Sequence, residues 1–328
     1  MGLHLSPLLL PQVVAINFTG GIFLGFFFIS ALYANRWLLF TDDGWKLRKD
    51  IHWHTLATTN ITFVLVVLTQ GLIVSTSMRQ AAAVEHGIGL GQYKEPVWVP
   101  ILKCTTSGFV VLLADSVLMH RLWVTHSRRM AVMWLPVILF LGSVSCVAMQ
   151  LFLMIKHIDN PDFGPYEWAN VNMDVGPGIV FLPFLASTIV LNAYCTGLII
   201  WRVRKSLKFV GKSTSARQLQ ILIRILMESG VLYLVMSIAH FIAYFGHDNF
   251  PVRMNGTLHT VVTGIAYDLI IIRVGQNRIA EGPTTTTGSE RLTTFQVADV
   301  SQGVSAHSSS SIVTGDTIEF RNDKLSTA

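Results

Sequence analysis

Seven long apolar runs follow one another along the chain, and shorter polar segments separate them. Each run has about 20 residues, which is the length that a helix needs to cross the hydrocarbon core of a bilayer. The pattern therefore predicts an all-α membrane protein in which residues 1–275 form a bundle of seven transmembrane helices. The predicted spans are residues 12–34, 55–78, 101–124, 132–154, 178–201, 222–245 and 256–274.

The C-terminal segment, residues 276–328, has a different character from the rest of the chain. It contains clusters of threonine at 284–287 and of serine at 308–311, and it has few aromatic residues. A segment with so little apolar surface does not gain enough from burial to offset the entropy lost on folding. This segment is predicted to be a disordered, Ser/Thr-rich cytoplasmic tail.

The overall composition agrees with a membrane protein. Hydrophobic residues make up 51% of the chain and charged residues only 13%, whereas soluble domains contain about 25% charged residues. The formal net charge of +5 is too small to indicate nucleic-acid binding. We therefore expect membrane lipid as a partner and predict no interaction with nucleic acid.

The distribution of lysine and arginine predicts how the bundle is oriented. One alternating set of segments holds 16 of these residues and the opposite set holds 5. Basic residues are enriched on the cytoplasmic side of membrane proteins. The N-terminus is therefore predicted to lie outside and the C-terminus in the cytoplasm, and the expected location is the plasma membrane, as a multi-pass protein. The richer set comprises residues 35–54, 120–131, 202–220 and 273–292.

Three of the predicted spans contain both an acidic residue and an arginine. A charged group inside a membrane costs about 2.5–3.5 kcal/mol on insertion scales, so it needs a partner or a function. We refer to these six residues as the charge layer: Asp115, Arg121, Arg224, Glu228, Asp268 and Arg273. Two interpretations are open. The layer is either an ionic switch at the cytoplasmic side or a static polar cluster that fixes helix packing.

Two histidines lie toward the outer ends of the sixth and seventh spans. His240 and His259 are placed where a pocket for a small ligand of unknown identity would open. The alternative is that each is a packing residue whose hydrogen bonds are satisfied within the bundle. Both interpretations stay open at this point.

The sequence lacks the motifs of several known classes of enzyme and cofactor-binding protein. The seventh span has no lysine for a retinal Schiff base, and the chain has no HExxH, Gly-x-Ser-x-Gly or Cys-x-x-Cys motif. The sequence therefore predicts no catalytic, cofactor-binding or metal-binding residue, and it gives no support for an enzyme.

Short motifs in three of the spans resemble those of a known group of proteins. They are Ala114-Asp115 with Arg121–Val124, then Glu228–Tyr233, then Gly264–Ala266 with Ile271–Gly275. With these motifs the chain resembles a large group of seven-helix membrane proteins expanded in mushroom-forming basidiomycete fungi. The resemblance implies the seven-helix fold, but the group has no established activity that could be carried over to this chain.

The predicted topology is also similar to that of G-protein-coupled receptors, and Arg121 lies near the inner end of the third span, where those receptors have an arginine. This similarity implies a receptor-like protein that signals to a cytoplasmic partner. The alternative function is a proton- or cation-coupled transporter that uses the intramembrane Asp and Glu residues.

Overall fold

The computed structural model describes most of the chain up to residue 280. The described residues are 9–40, 47, 53–87, 96–126, 130–159, 178–210, 214–245 and 249–280. Near the ends of some helices only the backbone is described. This applies to the first half of α6, up to residue 228, to residues 249 and 274–280 of α7, to residues 157 and 159 of α4, and to residues 178–179, 203 and 206–210 of α5. The predicted tail at 276–328 therefore lies almost wholly outside the described residues.

Seven long α-helices account for nearly all of the described chain. They are α1 (Leu10–Leu39), α2 (Trp53–Glu85), α3 (Trp98–Thr125), α4 (Trp134–Asp159), α5 (Gly178–Val210), α6 (Thr214–Tyr244) and α7 (Asn249–Ala280). A single 3-10 turn at Met130–Val132 precedes α4. Within the described residues, β-structure is limited to one isolated bridge between Phe40 and Leu47. The prediction of an all-α protein is confirmed for this part of the chain.

All seven helices are longer than the spans predicted for them. The prediction followed apolar residues only, but backbone hydrogen bonding continues where the helix leaves the apolar layer. Helix α2 runs on to Glu85 through an alanine-rich stretch at 81–83, and alanine has the highest helix propensity. Helix α6 starts at Thr214, eight residues before the predicted span. Apolar length therefore marks the membrane-embedded part of a helix and underestimates the whole helix.

The helices α1 to α5 are long and apolar enough to cross a membrane, judged by length and composition. Their outer surfaces carry large exposed apolar side chains, such as Phe18 at 69% and Met78 at 69% exposure. A soluble protein rarely exposes contiguous apolar surface of this extent. The described fold is thus a helical membrane protein whose outer face contacts lipid.

Exposed tryptophan side chains lie at both ends of the bundle: Trp98 is the first residue of α3 at one end, and two others lie at the opposite end. Trp53 and Trp134 lie at the first residues of α2 and α4, and they are 67% and 70% exposed. At the same end, the guanidinium of Arg36 lies 5.4 Å from the Trp37 ring centroid, near the end of α1. Tryptophan and basic side chains favour the boundary between lipid and water. We call the end that carries Trp53 and Trp134 the tryptophan end of the bundle.

Helix α3 is central, because it packs against α2, α4, α5 and α7. Part of its contact with α5 is an apolar cluster, in which Leu122 is fully buried with Leu191, Cys195 and Ile199 of α5. Helix α1 packs against α2 and α7, and Phe27 of α1 is buried in that contact. Against this apolar background, the buried polar groups described next are exceptions that need an explanation.

Candidate functional site

A cavity of about 240 Å³ opens at the end of the bundle opposite the tryptophan end. Here α1, α3, α5 and α7 begin while α2, α4 and α6 end, so neighbouring helices alternate in direction. All seven helices line it, through Val13 of α1, Gln80 of α2, Lys103 of α3, Gln150 of α4, Phe181 of α5, His240 of α6 and Arg253 of α7. We call it the end cavity.

The exposed wall of the end cavity is largely apolar, although half of the residues that line it have hydroxyl, amide, imidazole or charged side chains. The charged residues among its described lining, Lys103 and Arg253, are both basic. Apolar walls with a small number of placed polar groups are typical of sites for small organic molecules. The shape and the lining therefore suit a small ligand that is mostly apolar.

His240 lines this cavity and carries a buried ring nitrogen that has no hydrogen-bond partner among the described residues. Its side chain is only 7% exposed, and its Nδ1 atom is buried with no hydrogen-bond partner among the described residues. Its ring lies 5.4 Å from that of Phe181 in an edge-on arrangement. A buried polar atom without a partner is costly. Because Nδ1 has almost no accessible surface, a ligand in the end cavity would have to shift the His240 ring in order to hydrogen-bond to this atom.

His259 lies beside His240, with 5.4 Å between the ring centroids, but its hydrogen bonding is internal. Its Nε2 lies 3.0 Å from the Ser237 hydroxyl oxygen. That hydroxyl donates its one proton to the backbone carbonyl of Tyr233 at 2.9 Å. His259 Nε2 therefore acts as the donor to Ser237, which places the imidazole proton on Nε2. Both histidines line the cavity, and His259 also joins α7 to Ser237 of α6.

The His259 ring also stacks on Tyr233, at a centroid distance of 5.8 Å and an interplanar angle of 30°. The Tyr233 phenol in turn donates to Oδ1 of Asp115 at 3.1 Å. The Thr188 hydroxyl donates to Oδ2 of Asp115, also at 3.1 Å. Asp115 is fully buried. We call Asp115, Thr188 and Tyr233 the Asp115 cluster, and it joins α3, α5 and α6.

Asp268, the other described acid of the charge layer, has a separate environment. Its Oδ2 accepts a hydrogen bond from the Ser30 hydroxyl of α1 at 2.9 Å, and the residue is 1% exposed. Next to it, the Tyr267 and Thr59 hydroxyl oxygens lie 3.4 Å apart between α7 and α2. Asp268 therefore fixes the α1–α7 contact, whereas the predicted layer placed it with α3 and α6.

Within the described part of the chain, hydroxyl groups and not arginines hold both Asp115 and Asp268. The physical reason is geometric, because serine, threonine and tyrosine on the facing helices reach the carboxyl oxygens directly. Arg121 lines a second, smaller cavity, and Arg273 is exposed. The side chains of Arg224 and Glu228 lie outside the described residues, so the structure gives no contact for them.

The hydroxyl residues of the site were missed by sequence reasoning. Thr188 and Ser237 are two of many hydroxyl residues within apolar runs, and nothing in the apolar pattern distinguishes them. Tyr233 was part of the quoted motif Glu228–Tyr233, and a tyrosine within a span is itself a signal because its hydroxyl needs a partner when buried.

The described residues contain no group of three or more His, Cys, Asp or Glu side chains arranged to hold a metal ion. The three cysteines, Cys104, Cys146 and Cys195, are thiols. No protein-family model, curated protein or solved structure matches this chain significantly, so its function is inferred from its own residues.

Proposed function

We propose that this chain is a receptor-like protein of the plasma membrane with seven transmembrane helices. A small ligand binds in the end cavity, and its binding changes the packing of α3, α5 and α6. A cytoplasmic signalling partner then recognises the change at the tryptophan end. In this proposal α6 and α7 cross the membrane together with α1 to α5, the N-terminus lies outside, and the C-terminus lies in the cytoplasm.

The observation that carries the proposal is the unbroken set of contacts from the end cavity to the Asp115 cluster. His259 lines the cavity and stacks on Tyr233, which is hydrogen-bonded to Asp115. A ligand that moves His259 therefore also disturbs Tyr233, whose hydrogen bond to Asp115 helps to hold α3, α5 and α6 together. Packed, hydrogen-bonded groups with discrete arrangements are the physical means by which two sites become coupled.

The alternative function is a proton- or cation-coupled transporter. The observation that favours it is the burial of two carboxyl groups inside the bundle, with Asp115 0% and Asp268 1% exposed. A transporter would have to open a water path to at least one of them. A receptor would keep both shielded, with their hydroxyl partners in place.

Cysteine accessibility separates the two functions. Ser116→Cys would be placed next to Asp115 in a background in which the three native cysteines are replaced by serine. The variant would be reconstituted in vesicles and treated with a water-soluble thiol reagent, with and without a proton gradient. The receptor proposal expects no labelling in either condition. Labelling that changes with the gradient would favour the transporter instead.

The native Cys104 offers both a positive control and a test of orientation. It lines the end cavity, whereas Cys195 is completely buried between α5 and α3. In intact cells expressing a variant that retains only Cys104, an impermeant thiol reagent added outside should label the protein. A variant that retains only Cys195 should stay unlabelled. Labelling of Cys104 solely from the cytoplasmic side would reverse the proposed orientation.

A further inference from the structure

Two basic residues line the end cavity close to its mouth. Lys103 belongs to α3 and Arg253 to α7, two helices that pack against each other and both begin at this end of the bundle. Lys103 is the sixth residue of α3, and Arg253 is the fifth residue of α7. At a rise of about 1.5 Å per residue, both lie within about 8 Å of the start of their helix. The cavity therefore has two positive charges near its opening.

A hydrogen bond deeper in the cavity shows that these two residues lie on the same side of it. The hydroxyl oxygens of Ser107 on α3 and Thr260 on α7 lie 2.8 Å apart, and both residues line the cavity. Lys103 precedes Ser107 by four residues, and Arg253 precedes Thr260 by seven. Residues at these spacings share one face of a helix. Both basic residues are thus placed above one fixed contact between α3 and α7.

The charge of the described lining has a single sign. Lys103 and Arg253 line the end cavity, and no aspartate or glutamate occurs among the described residues that do so. Both basic side chains also make another interaction within the chain. A lysine has three hydrogen-bond donors and an arginine five, so each can bind an additional acceptor. The lining therefore favours a ligand that carries a negatively charged group.

Farther from the mouth, part of the wall is apolar. Val111 follows Lys103 by eight residues on α3, which places it about 12 Å deeper in the bundle. It belongs to a buried apolar cluster with Phe184 and Leu185 of α5, and all three residues line the end cavity. Apolar surface of this kind gains from contact with a hydrocarbon group. The cavity thus suits a ligand with a charged group at one end and an apolar body.

The volume of the cavity limits the size of that ligand. An engineered protein cavity of about 150 Å³ binds benzene, which has six non-hydrogen atoms. The end cavity has a volume of about 240 Å³. In proportion, it holds about ten non-hydrogen atoms. A carboxylic acid with eight carbon atoms has this size.

We propose that the ligand of the end cavity is a small amphipathic organic acid. Its carboxylate binds to Lys103 and Arg253 at the mouth, and its apolar body lies against the wall formed by Val111, Phe184 and Leu185. This inference rests on the proposed function, in which a small ligand binds in the end cavity, and it adds the chemical class of that ligand. Lys103 and Arg253 are then the residues that determine specificity for an acid.

The test uses three probes of nearly equal size and different charge: octanoate, octanamide and octylammonium. The full-length protein, in a variant that retains only Cys104, would be placed in lipid nanodiscs and treated with a water-soluble thiol reagent. Cys104 lines the end cavity, so a bound probe should slow its modification. By mass action, octanoate at about ten times its Kd should slow the reaction about tenfold, and the effect should saturate. At the same concentration, octanamide and octylammonium should change the rate less than about twofold.

Variants assign the effect to the two basic residues. Lys103→Gln and Arg253→Gln should each weaken octanoate binding about tenfold or more, because each removes a charged hydrogen-bond donor. Arg253→Lys retains the charge and should keep most of the protection. Arg79→Gln is the matched control, since Arg79 is an exposed cation on α2 that precedes Gln80 but does not itself line the cavity. Each rate is compared with that of the same variant without probe, so any change in the reactivity of Cys104 itself cancels.

The results distinguish the ligand class from the proposed function. Equal protection by octanoate and octanamide, no protection by octanoate, or unchanged protection in both glutamine variants would each overturn the proposal of an acid. None of these results would exclude a receptor for another class of ligand. In contrast, protection by octanoate with no change in the distance between spin labels at the tryptophan-end termini of α3 and α5 would retain the acid site. That result would contradict the proposed change in helix packing, and with it the receptor function.

Discussion

The Tyr233 phenol of α6 donates a hydrogen bond of 3.1 Å to the fully buried Asp115 carboxyl group of α3. The same tyrosine ring stacks on His259, which lines the end cavity. Tyr233 is therefore the side chain that the cavity and the Asp115 cluster have in common. Its hydroxyl bonds to Asp115 and its ring stacks on His259, so substitutions can remove one contact and keep the other.

Replacing Tyr233 with phenylalanine should destabilise the protein by about 1–2 kcal/mol. The ring and its contact with His259 remain, but one oxygen of Asp115 loses its donor inside the bundle. Interhelical hydrogen bonds in membrane proteins are worth about 0.6 kcal/mol on average and up to about 1.7, and leaving a buried polar group without a partner adds to this loss. Reversible unfolding in mixed detergent micelles would measure the difference in free energy.

Tyr194→Phe is the matched control for that measurement. The Tyr194 hydroxyl lies 3.4 Å from the Val132 carbonyl oxygen in a partly buried position, which is too long for a strong hydrogen bond. Its removal should cost less than half as much as removal of the Tyr233 hydroxyl. Equal losses for the two variants would show that the Asp115 contact contributes nothing specific.

Asp115→Asn combined with Tyr233→Phe should show an energetic coupling. Asparagine keeps the shape of the side chain and one acceptor oxygen, so it can retain a single hydroxyl donor. Once Asp115 is changed, the loss of the Tyr233 hydroxyl should matter less, and the double variant should be more stable than the sum of the single effects predicts. A coupling of about 0.5 kcal/mol or more is expected for groups in direct contact. Strict additivity in the same unfolding assay would contradict a direct interaction.

The sequence allowed the helices to be predicted better than the contacts between them. Apolar runs near 20 residues long were enough to place each helix, because the length requirement of the bilayer is strong. It was also possible to see that Asp115 and Asp268 would be buried, since both interrupt apolar runs. Their partners could not be predicted, because core-facing and lipid-facing positions are both apolar in these helices. The rotation of each helix about its axis is then not encoded in the apolar pattern.

The two histidines illustrate the same limit. Their position toward one end of the sixth and seventh spans could be derived from residue counting, and both line the end cavity in the structure. The buried Nδ1 of His240 has no partner among the described residues, whereas His259 bonds to Ser237, and this difference depends on side-chain geometry. The different roles of two residues of the same type became visible only in three dimensions.

The position of the His259 ring, which lies between the end cavity and the Asp115 cluster, should depend on Ser237. Ser237→Ala removes the hydroxyl that accepts from His259, so the imidazole should become more mobile while the Tyr233–Asp115 bond stays intact. In ¹⁵N spectra of histidine-labelled protein, the His259 signal should shift or broaden. The His126 signal serves as an internal control, because that side chain is placed at the end of α3 and not at the cavity. An unchanged His259 signal would show that Ser237 does not hold the ring.

A close contact between α7 and the Phe27 ring of α1 gives a prediction about packing. A Cβ atom added at Gly264 of α7 would lie 2.5 Å from Cε2 and 3.0 Å from Cδ2 of Phe27 on α1. Phe27 cannot move aside easily, because it is 1% exposed and its ring stacks on Phe63 at a centroid distance of 5.8 Å. Gly264→Ala should therefore destabilise the protein by about 1–3 kcal/mol, the typical cost of overpacking a close-packed interior.

Two further variants decide whether this cost arises from the contact with Phe27. Gly142→Ala is the control, because a Cβ atom there would meet nothing within 4 Å, and alanine is the better helix former by about 1 kcal/mol. It should leave stability unchanged or raise it slightly. Phe27→Leu provides space, so in a Phe27→Leu background the Gly264→Ala change should cost clearly less than it does alone. If Gly264→Ala costs the same in both backgrounds, the Phe27 ring plays no part in that cost. The contact with Phe27 is then not the reason for glycine at position 264.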